Sequence, residues 1–282
     1  MTIRLSTPAD VPVLRELWAL AFGDSGPYMD NFFDNYYRPE RMIVLELDGR
    51  VRAMTAWFDT LFSVPCRGEY RAAYLYAVAT HPDFRSRGLS AALLAWVDEY
   101  FRTLDIPAVT TVPAEPSLHR FFGANGFREC FCHDELSFSP TAPCPQPHFA
   151  LRKVSARTYG EVRRALLMGT SHICLPQDAL DYQAGCCAVS GGGLYTADTG
   201  CGPVALCAEG MADGTVLIKE LLGQPSACEE VVQSLPALLP NCCGKYRIPG
   251  KTVPFGMLKW LDKKAEERWN WGNTAYLGLA FD

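Results

Sequence analysis

The feature that most constrains this chain is a strand, a basic glycine loop and a long amphipathic helix in direct succession. Residues 71–80 form an apolar run of strand length, and the basic loop 81–88 follows at once. Apolar residues then recur three and four positions apart at Leu89, Ala92, Leu93, Trp96, Val97, Tyr100, Phe101 and Leu104. A strand that feeds a helix in this way favours an α/β or α+β fold with crossover helices.

The rest of the first half predicts further strands and helices around this unit. Thr7-Pro8-Ala9-Asp10 has the residues of a capping box and starts a helix, and Asp48-Gly49 is a hairpin turn. The predicted order is β-α-α-β-β-β-α-β-α-β, a mixed central sheet flanked by helices. The predicted strands are 2–5, 42–47, 51–62, 71–80, 108–112 and 127–138.

The second half loosely repeats this order. Four prolines between residues 137 and 147 predict an extended linker, because proline fixes φ and removes a hydrogen-bond donor. The predicted domains are therefore 1–139 and 148–282, joined by a linker at 140–147. In the second half Gly223-Gln-Pro-Ser226 stands where the first half has its basic glycine loop. The last predicted strand is 274–281.

Composition and charge exclude several classes of function. The net charge is −5 in 282 residues and the pI is about 5.6, which argues against nucleic-acid binding. No apolar run approaches the roughly 18 residues of a membrane span, and the start does not resemble a signal peptide, so we expect a cytoplasmic protein. The twelve cysteines include no C-x-x-C pair, which favours reduced structural thiols and predicts no metal site.

The basic glycine loop has the chemistry of a diphosphate site. A helix N-terminus presents unpaired N–H groups and a partial positive charge to an anion. Gly88 allows the backbone to approach a phosphate closely, and Arg85 and Arg87 add positive charge. Ser90 is small and offers a hydroxyl. The pattern predicts that this loop binds the diphosphate of a cofactor.

Two motifs resemble the GNAT family of N-acetyltransferases. Arg85-Ser-Arg-Gly-Leu-Ser90 resembles the family fingerprint Arg/Gln-x-x-Gly-x-Gly/Ala and departs from it only at the last position. Phe122-Gly-Ala-Asn-Gly-Phe127 resembles the later Tyr-x-x-x-Gly-Phe motif, with phenylalanine in place of tyrosine. The resemblance covers residues 1–139 and implies a GNAT acyl-CoA N-acyltransferase fold. It extends by element order to a second, degenerate GNAT-like domain without a pyrophosphate site.

The resemblance implies acetyl-CoA as co-substrate and an amine N-acetyltransferase as the activity. Backbone groups of residues 78–80 would pair with the pantetheine arm, and amides of residues 86–91 would surround the pyrophosphate. The amide near Val78 would hold the oxyanion while a neutral amine attacks the thioester in a ternary complex. The implied cofactor-binding residues are Val78, Ala79, Thr80, Arg85, Ser86, Arg87, Gly88, Leu89, Ser90 and Ala91.

The phenylalanine at the tyrosine position leaves the catalytic groups open. Phe122 cannot donate a proton to the departing thiolate, so Tyr74, Tyr76 or water would replace it. The alternative is a non-catalytic sensor or scaffold that binds acyl-CoA, and transfer of a longer acyl chain is another interpretation. The acceptor also stays open among small amines, aminoglycosides, polyamines, amino acids and protein N-termini, with a small-molecule amine favoured.

A further resemblance concerns the end of the chain. The enhanced-intracellular-survival aminoglycoside acetyltransferases have a serine five residues before the tyrosine position, where Ser117 stands here, and use their terminal carboxylate as the base. By that resemblance Asp282 would be the base, and the alternative is an ordinary terminal strand. His119 is interpreted as a surface or packing histidine. An aromatic cluster between residues 32 and 37 is interpreted as core rather than as an acceptor pocket.

Overall fold

The computed structural model describes residues 1–24, 26–139, 147–238 and 243–281. The described chain forms two compact units whose segments alternate along the sequence. The first unit contains Met1–Phe62, Arg67–Cys130 and Phe255–Asn273, and the second contains Ser63–Cys66, Phe131–Pro254 and Thr274–Asp282. Most of the predicted linker, residues 140–146, lies outside the described residues. The domain boundaries at 1–139 and 148–282 stay a prediction.

Strands outnumber helices along the described chain. The strands are β1 (Thr2–Leu5), β2 (Met42–Leu47), β3 (Arg50–Val64), β4 (Gly68–Thr80), β5 (Ala108–Thr111), β6 (Arg128–Phe138), β7 (Arg152–Lys153), β8 (His172–Cys174), β9 (Gly193–Thr199), β10 (Gly202–Gly210), β11 (Val216–Gly223), β12 (Gly244–Pro249) and β13 (Val253–Trp260). The helices are α1 (Val11–Phe22), α2 (Gly26–Asn35), α3 (Leu89–Thr103), α4 (Pro116–Ala124), α5 (Ala156–Leu166), α6 (Gln177–Val189), α7 (Pro225–Leu238) and α8 (Lys263–Arg268). Through β6 the order is the predicted one.

The sheet of the first unit has the strand order β1-β2-β3-β4-β5-β13. β4 and β5 are parallel, and α3 forms the crossover between them. β13 pairs antiparallel with β5, from Met257 opposite Thr111 to Trp260 opposite Ala108. The sequence did not predict β13, because Pro254 interrupts a strand pattern and removes a ladder donor. The first unit therefore takes one strand from the C-terminal half of the chain.

Helices cover both faces of this sheet. The side chains of β4 show which helices lie on each face. Ala73 and Leu75 lie in an apolar core with side chains of α3. Tyr76 points the other way, and its ring lies 5.4 Å from Trp18 of α1 and 6.0 Å from Phe32 of α2 between ring centroids. Successive side chains of a strand point to opposite faces of the sheet. Alternate side chains of β4 therefore pack against α3 on one face and against α1 and α2 on the other. The predicted mixed α/β architecture is confirmed.

The sheet of the second unit has the strand order β6-β12-β11-β10-β9-β7. β11 and β12 are parallel and joined by α7, whereas the other pairs are antiparallel. On α5, Gly160 allows α6 to approach closely, since a Cβ at this position would lie 2.6 Å from Leu180 Cδ1. The second unit thus repeats the helix pair and the parallel crossover of the first, with β8 standing between α5 and α6.

The predicted strand at 274–281 is wrong. Only isolated bridges form there, at Ala275 and Tyr276, and the left-handed Gly278 with φ of 73° interrupts the extended backbone. The apolar residues from 275 to 281 are all buried, so their pattern reflects burial and not a sheet ladder. The sequence from Phe149 to Val154 also predicts a strand, but the strand found there, β7, is only two residues long. None of the described helices is both long and apolar enough to cross a membrane.

Candidate functional site

The C-terminal end of β4 extends beyond its neighbour β5. The ladder between the two strands ends at Leu75 opposite Thr111, where β5 itself ends, and β4 continues to Thr80. Ala77 interrupts this extension with a left-handed φ of 51°, a conformation typical of a bulge. The predicted residues Val78, Ala79 and Thr80 thus lie on a strand end that has no β5 partner beside it.

The loop after β4 turns sharply into α3. Residues Pro82–Phe84 form one turn of 3₁₀-helix, and Ser86 and Gly88 both adopt left-handed backbone with φ of 59° and 77°. No atom of the described residues lies within 4 Å of the position that a Cβ on Gly88 would take. Glycine is therefore not required there by crowding within the protein. It is favoured by its φ, and it leaves space for a ligand to approach the backbone.

The helix α3 begins with free amides beside this open space. Gly88 is its N-cap, and the first α-helical hydrogen bond runs from the amide of Ala92 to the carbonyl of Gly88 over 3.0 Å. The amides of Leu89, Ser90 and Ala91 therefore have no acceptor within the helix. Residues 85–88 are exposed to solvent, so an anion can reach this helix end. The arrangement has the geometry of a helix N-terminal anion site.

Three arginines surround the loop. Arg85 Nε donates to the carbonyl oxygen of Thr80 over 3.3 Å, and the Arg87 guanidinium lies over the Phe84 ring, 4.8 Å from its centroid. Arg52 of β3 lies over the same ring at 4.1 Å. Stacking on an aromatic ring limits the freedom of both guanidinium groups and brings two positive charges to one face of the loop.

Arg52 is a residue that the sequence did not reveal. Its backbone carbonyl accepts a hydrogen bond from the amide of His81 over 2.8 Å, which ties β3 to the start of the loop. Its buried Nε has no hydrogen-bond partner among the described residues. Nothing in the local sequence around residue 52 marks it, since its position depends on the pairing of β3 with β4.

Two predicted residues join the end of β4 to the start of α3. The hydroxyl oxygens of Thr80 and Ser90 lie 2.7 Å apart and share a hydrogen bond. Ser90 occupies the fingerprint position where the family has glycine or alanine, and its hydroxyl is accommodated by this partner. The departure from the fingerprint is therefore compatible with the same backbone geometry.

The candidate catalytic residues differ in how far their side chains are buried. Tyr76 is half-buried, and its carbonyl accepts a hydrogen bond from Thr55 Oγ1 over 3.2 Å. Val78 is half-buried against the core on the α3 side, and Tyr74 is buried on the opposite face of the strand with its ring 6.0 Å from Phe58. Asp282 lies outside the described residues. The roles of Tyr76, Val78 and Asp282 stay predictions.

Phe122 lies in the core of the first unit. It is 4 % exposed, and its ring centroid is 5.4 Å from that of Phe127. Both rings belong to the apolar cluster that also contains the buried side chains of α3. His119 lies on the surface, with its Nδ1 2.8 Å from Glu129 Oε1, and Ser117 donates to Glu115 over 3.2 Å.

The aromatic side chains at the end of α2 and directly after it are packed against their neighbours. Phe32, Phe33 and Tyr36 are 1 %, 8 % and 3 % exposed, and Phe32 lies 4.8 Å from Trp18 between ring centroids. Tyr37 is half-exposed and donates to the carbonyl of Thr7 over 2.9 Å. These contacts make the cluster part of the apolar layer between the helices and the sheet.

A cleft of about 600 Å³ borders the same loop. Its lining includes His81, Asp83 and Phe84 but no residue from 85 to 91. Acidic and basic side chains alternate around it, with Arg4, Asp10 and Glu46 joined by ion pairs. Three arginines and four carboxylates line this cleft, so its charge matches a diphosphate less well than the helix end does.

A bulged strand end, a left-handed glycine and a helix N-terminus follow one another here, in the order that the resemblance to the GNAT family implies. Residues 2–126 match the sequence model of a family described as an acetyltransferase (GNAT) domain. The search of curated proteins gives no match.

Solved structures resemble nearly the whole chain. Eis1 from Mycobacterium abscessus matches 94 % of this chain and 75 % of its own, with 14 % identity and a TM-score of 0.68. A GCN5-related N-acetyltransferase from Anabaena variabilis matches 93 % of this chain and 73 % of its own, with 14 % identity and a TM-score of 0.70. At such identity the likeness concerns the fold alone, and it confirms the predicted GNAT fold with a second GNAT-like region.

Proposed function

We propose that the protein is an N-acetyltransferase that moves the acetyl group of acetyl-CoA to a primary amine. The observation that carries this proposal is the continuous arrangement of a free strand end, the left-handed Gly88 and the unpaired amides of α3. This arrangement matches the two parts of the cofactor, since a strand end accepts an extended amide chain and a helix N-terminus accepts a diphosphate.

Each predicted residue has a role in holding the cofactor. The backbone of Val78, Ala79 and Thr80 pairs with the pantetheine amides, as an added strand would. Amides of residues 86–91 surround the diphosphate, and Arg85 and Arg87 neutralise its charge. The left-handed Gly88 keeps the approach free of a side chain.

The transfer is a direct attack within a ternary complex. The nitrogen of a neutral amine forms a bond to the thioester carbonyl carbon while the carbonyl oxygen becomes an oxyanion held by the Val78 amide. The C–S bond then breaks, and the thiolate leaves with a proton from water or from Tyr76. The C=O bond re-forms as the C–S bond breaks, and the positively charged nitrogen of the tetrahedral intermediate loses its proton to a base, for which we propose the carboxylate of Asp282. The product is a neutral amide.

We propose a different role for the second GNAT-like region. Its loop between β11 and α7 lacks basic residues, so we propose one cofactor site per chain. The predicted domains, 1–139 and 148–282, then divide the functions, with cofactor binding confined to the first. The acceptor that we favour is a small-molecule amine.

Acetyl transfer to an amine panel tests the proposal. Purified protein is incubated with acetyl-CoA and a polyamine, an aminoglycoside, an amino acid or a peptide with a free N-terminus. Released coenzyme A and acetylated product are separated by chromatography and quantified by mass spectrometry, because the twelve cysteines of the chain would react with thiol dyes. We expect one acceptor to give product in proportion to coenzyme A.

Gly88→Asp and Arg102→Gln make a matched pair for this assay. The aspartate places a negative charge at the diphosphate position and should abolish both binding and transfer. Arg102 is exposed at the far end of α3, so its loss should change neither. If Gly88→Asp binds acetyl-CoA as tightly as the wild type does, the cofactor lies elsewhere and the proposal is wrong.

The buried Phe122 favours a second candidate function, a non-catalytic acyl-CoA sensor. A sensor would bind acetyl-CoA at the same loop but release no coenzyme A above background with any amine. Calorimetric binding together with absent turnover across the panel would support the sensor. Turnover with any acceptor would exclude it.

A further inference from the structure

The second unit contains a cleft that the acetyltransfer reaction does not use. It has a volume of about 420 Å³ and lies among α5, β8 and the start of α6. Two side chains of β8, His172 and Cys174, line it together. Cys174 is half-buried and accessible from the cleft, whereas His172 is only 4 % exposed.

The hydrogen bonds of His172 determine which of its nitrogens carries the proton. Nδ1 lies 2.9 Å from the carbonyl oxygen of Thr170, and a carbonyl can only accept, so Nδ1 carries the hydrogen. In the neutral imidazole Nε2 is then the acceptor. Nε2 lies 3.2 Å from Cys174 Sγ, so the thiol donates to it.

This arrangement is that of an activated thiol. A base within hydrogen-bond reach takes the proton of the nucleophile, and a third group, here the Thr170 carbonyl, orients the base. The thiolate is the reactive form of cysteine, and an isolated thiol with a pKa of about 8.5 is mostly protonated at neutral pH. Burial of the His172 ring holds the pair in this orientation.

Charged residues of α5 face the pair across the cleft. Arg157, Glu161 and Arg164 lie at positions i, i+4 and i+7 of this helix and line one wall. Arg163 also borders the cleft but is held by the buried Glu220, with its Nε 2.9 Å from Oε1. Apart from that buried pair, the wall formed by α5 has two positive charges and one negative charge.

Two neighbours of the pair are neutral. Gln177 is the polar residue that α6 contributes to the lining, and Tyr276 forms an isolated bridge with His172. Burial raises the pKa of Tyr276 well above its usual value, so its hydroxyl stays protonated. Among the described residues that line this cleft, the charged side chains therefore come from α5.

We propose that Cys174 is a nucleophilic thiol that forms a mixed disulfide with a small anionic disulfide of the glutathione type. His172 Nε2 takes the thiol proton, and the Cys174 thiolate attacks one sulfur of the incoming disulfide. The S–S bond of that disulfide breaks as the new one forms, and the departing thiolate takes the proton from His172. One disulfide is consumed and one is formed, so no other oxidant is needed.

Alkylation of the wild-type protein tests the nucleophile without any variant. The protein is treated briefly with a limiting amount of iodoacetamide at pH 6.5, and each cysteine is quantified by peptide mass spectrometry. We expect Cys174 to react about tenfold faster than the exposed Cys66, Cys201 and Cys243. Equal or slower labelling of Cys174 would overturn the proposal, because exposure alone would then explain reactivity.

The variant His172→Gln tests whether the imidazole, and not the rest of the cleft, activates the Cys174 thiol. We expect Cys174 labelling at pH 6.5 to fall by about tenfold and to recover at pH 9, where thiols ionise without a base. Labelling of the exposed Cys66 in the same sample reports on the reagent, and protection of the buried Cys207 reports on folding. An unchanged pH profile of Cys174 labelling would show that His172 is not the base.

The charge of the disulfide tests the role of α5. We expect glutathione disulfide to modify Cys174 about tenfold faster than the cationic cystamine does, as judged by intact mass and peptide mapping. The double variant Arg157→Gln/Arg164→Gln should remove this preference, whereas Arg152→Gln on β7 should not. If cystamine reacts as fast as glutathione disulfide in the wild type, the anionic specificity is wrong.

Discussion

The two parallel crossovers of this protein share a topology and differ in chemistry. β4-α3-β5 and β11-α7-β12 each join neighbouring parallel strands through a helix. β4 ends five residues after its last β5 pair at Leu75, and β11 ends five residues after its last β12 pair at Ile218. The two strands therefore extend equally far beyond their last parallel pair.

The loops that follow the two strands are different. In the first crossover the strand end continues into an exposed loop with Arg85, Arg87 and the left-handed Gly88. In the second, Gln224 alone separates β11 from a helix that begins with Pro225. The crossover topology therefore does not by itself leave a helix end open to an anion. The length, charge and backbone conformation of the loop decide whether it is open.

The strand ends are also used differently. On β11 the equivalent extension is buried, and Glu220 accepts hydrogen bonds from Tyr159 over 2.7 Å and from Arg163 over 2.9 Å. Burial alone lowers the pKa of Arg163, but the Glu220 charge outweighs it and the pKa lies above its usual value. Where the first crossover leaves a strand end free, the second builds a buried ion pair.

The C-terminal segment depends on that ion pair. Arg163 Nη2 donates to the carbonyl of Leu277 over 2.9 Å, and a Cβ on Gly278 would lie 2.1 Å from Glu220 Oε2. Gly278 is therefore required both by its left-handed φ and by the close carboxylate. In the second unit, the extension of β11 thus stabilises the C-terminal segment of the chain.

The largest expected effect is on stability in the second crossover. Glu220→Gln leaves the buried charge of Arg163 without its partner, which should lower the free energy of unfolding by about 3–5 kcal/mol. Urea denaturation measures this loss, and Glu229→Gln on the exposed face of α7 is the control, expected within about 0.5 kcal/mol of the wild type. The affinity of the folded Glu220→Gln protein for acetyl-CoA should be unchanged. A loss of affinity would show that the second crossover also contributes to cofactor binding.

The next largest effect is on affinity in the first crossover. Arg85→Gln/Arg87→Gln removes two charge-assisted contacts, each of about 1.5–3 kcal/mol, so acetyl-CoA should bind at least about 100-fold more weakly. Calorimetry measures the affinity, and the wild type should bind one acetyl-CoA per chain. Stability in urea should change little because both arginines are exposed. A stoichiometry of two would mean that the second crossover also binds the cofactor.

A smaller effect is the pH dependence of stability that comes from the ion pair of Arg4 with Asp10 in the first unit. The hydrogen bond from Arg4, 2.8 Å long, lowers the pKa of the Asp10 carboxyl to about 2. The usual unfolded value is about 3.9, so this pair stabilises the folded state above pH 4 and loses its contribution as the pH falls through 2. The difference in urea midpoint between wild type and Asp10→Asn should therefore shrink between pH 5 and pH 2.5. A difference that stays constant would contradict the assignment.

The smallest effect concerns the fingerprint departure. Ser90→Ala restores a residue that the GNAT fingerprint allows and removes the partner of the Thr80 hydroxyl. We expect acetyl-CoA affinity to change by less than about threefold, because the diphosphate is held by backbone amides, and stability to fall by about 1 kcal/mol. Calorimetry and urea denaturation on the same preparation check both. A tenfold loss of affinity would show that the Ser90 hydroxyl itself contacts the cofactor.

Much of the first unit follows from local patterns in the sequence. The capping box at Thr7 forms as predicted, with the Thr7 amide 2.7 Å from Asp10 Oδ2, and α3 begins at Leu89 after Gly88. Helix periodicity, capping and a glycine with positive φ involve residues only a few positions apart. Such features are visible in the sequence because each depends on a short segment.

The sequence by itself determined the order of elements through β6, the start of α3 and the residues of the basic glycine loop. Only the tertiary structure decided that β13 joins the first sheet, that Arg52 lies over Phe84, that His172 reaches Cys174 within an α5-lined cleft, and that residues 275–281 are buried without forming a strand. The physical reason is the separation of the contacting residues along the chain. Local backbone preferences act within a few residues and also cover neighbours such as His172 and Cys174 on one strand, whereas the packing of α5 against that strand, like the other long-range contacts, depends on which surfaces the folded units bury together.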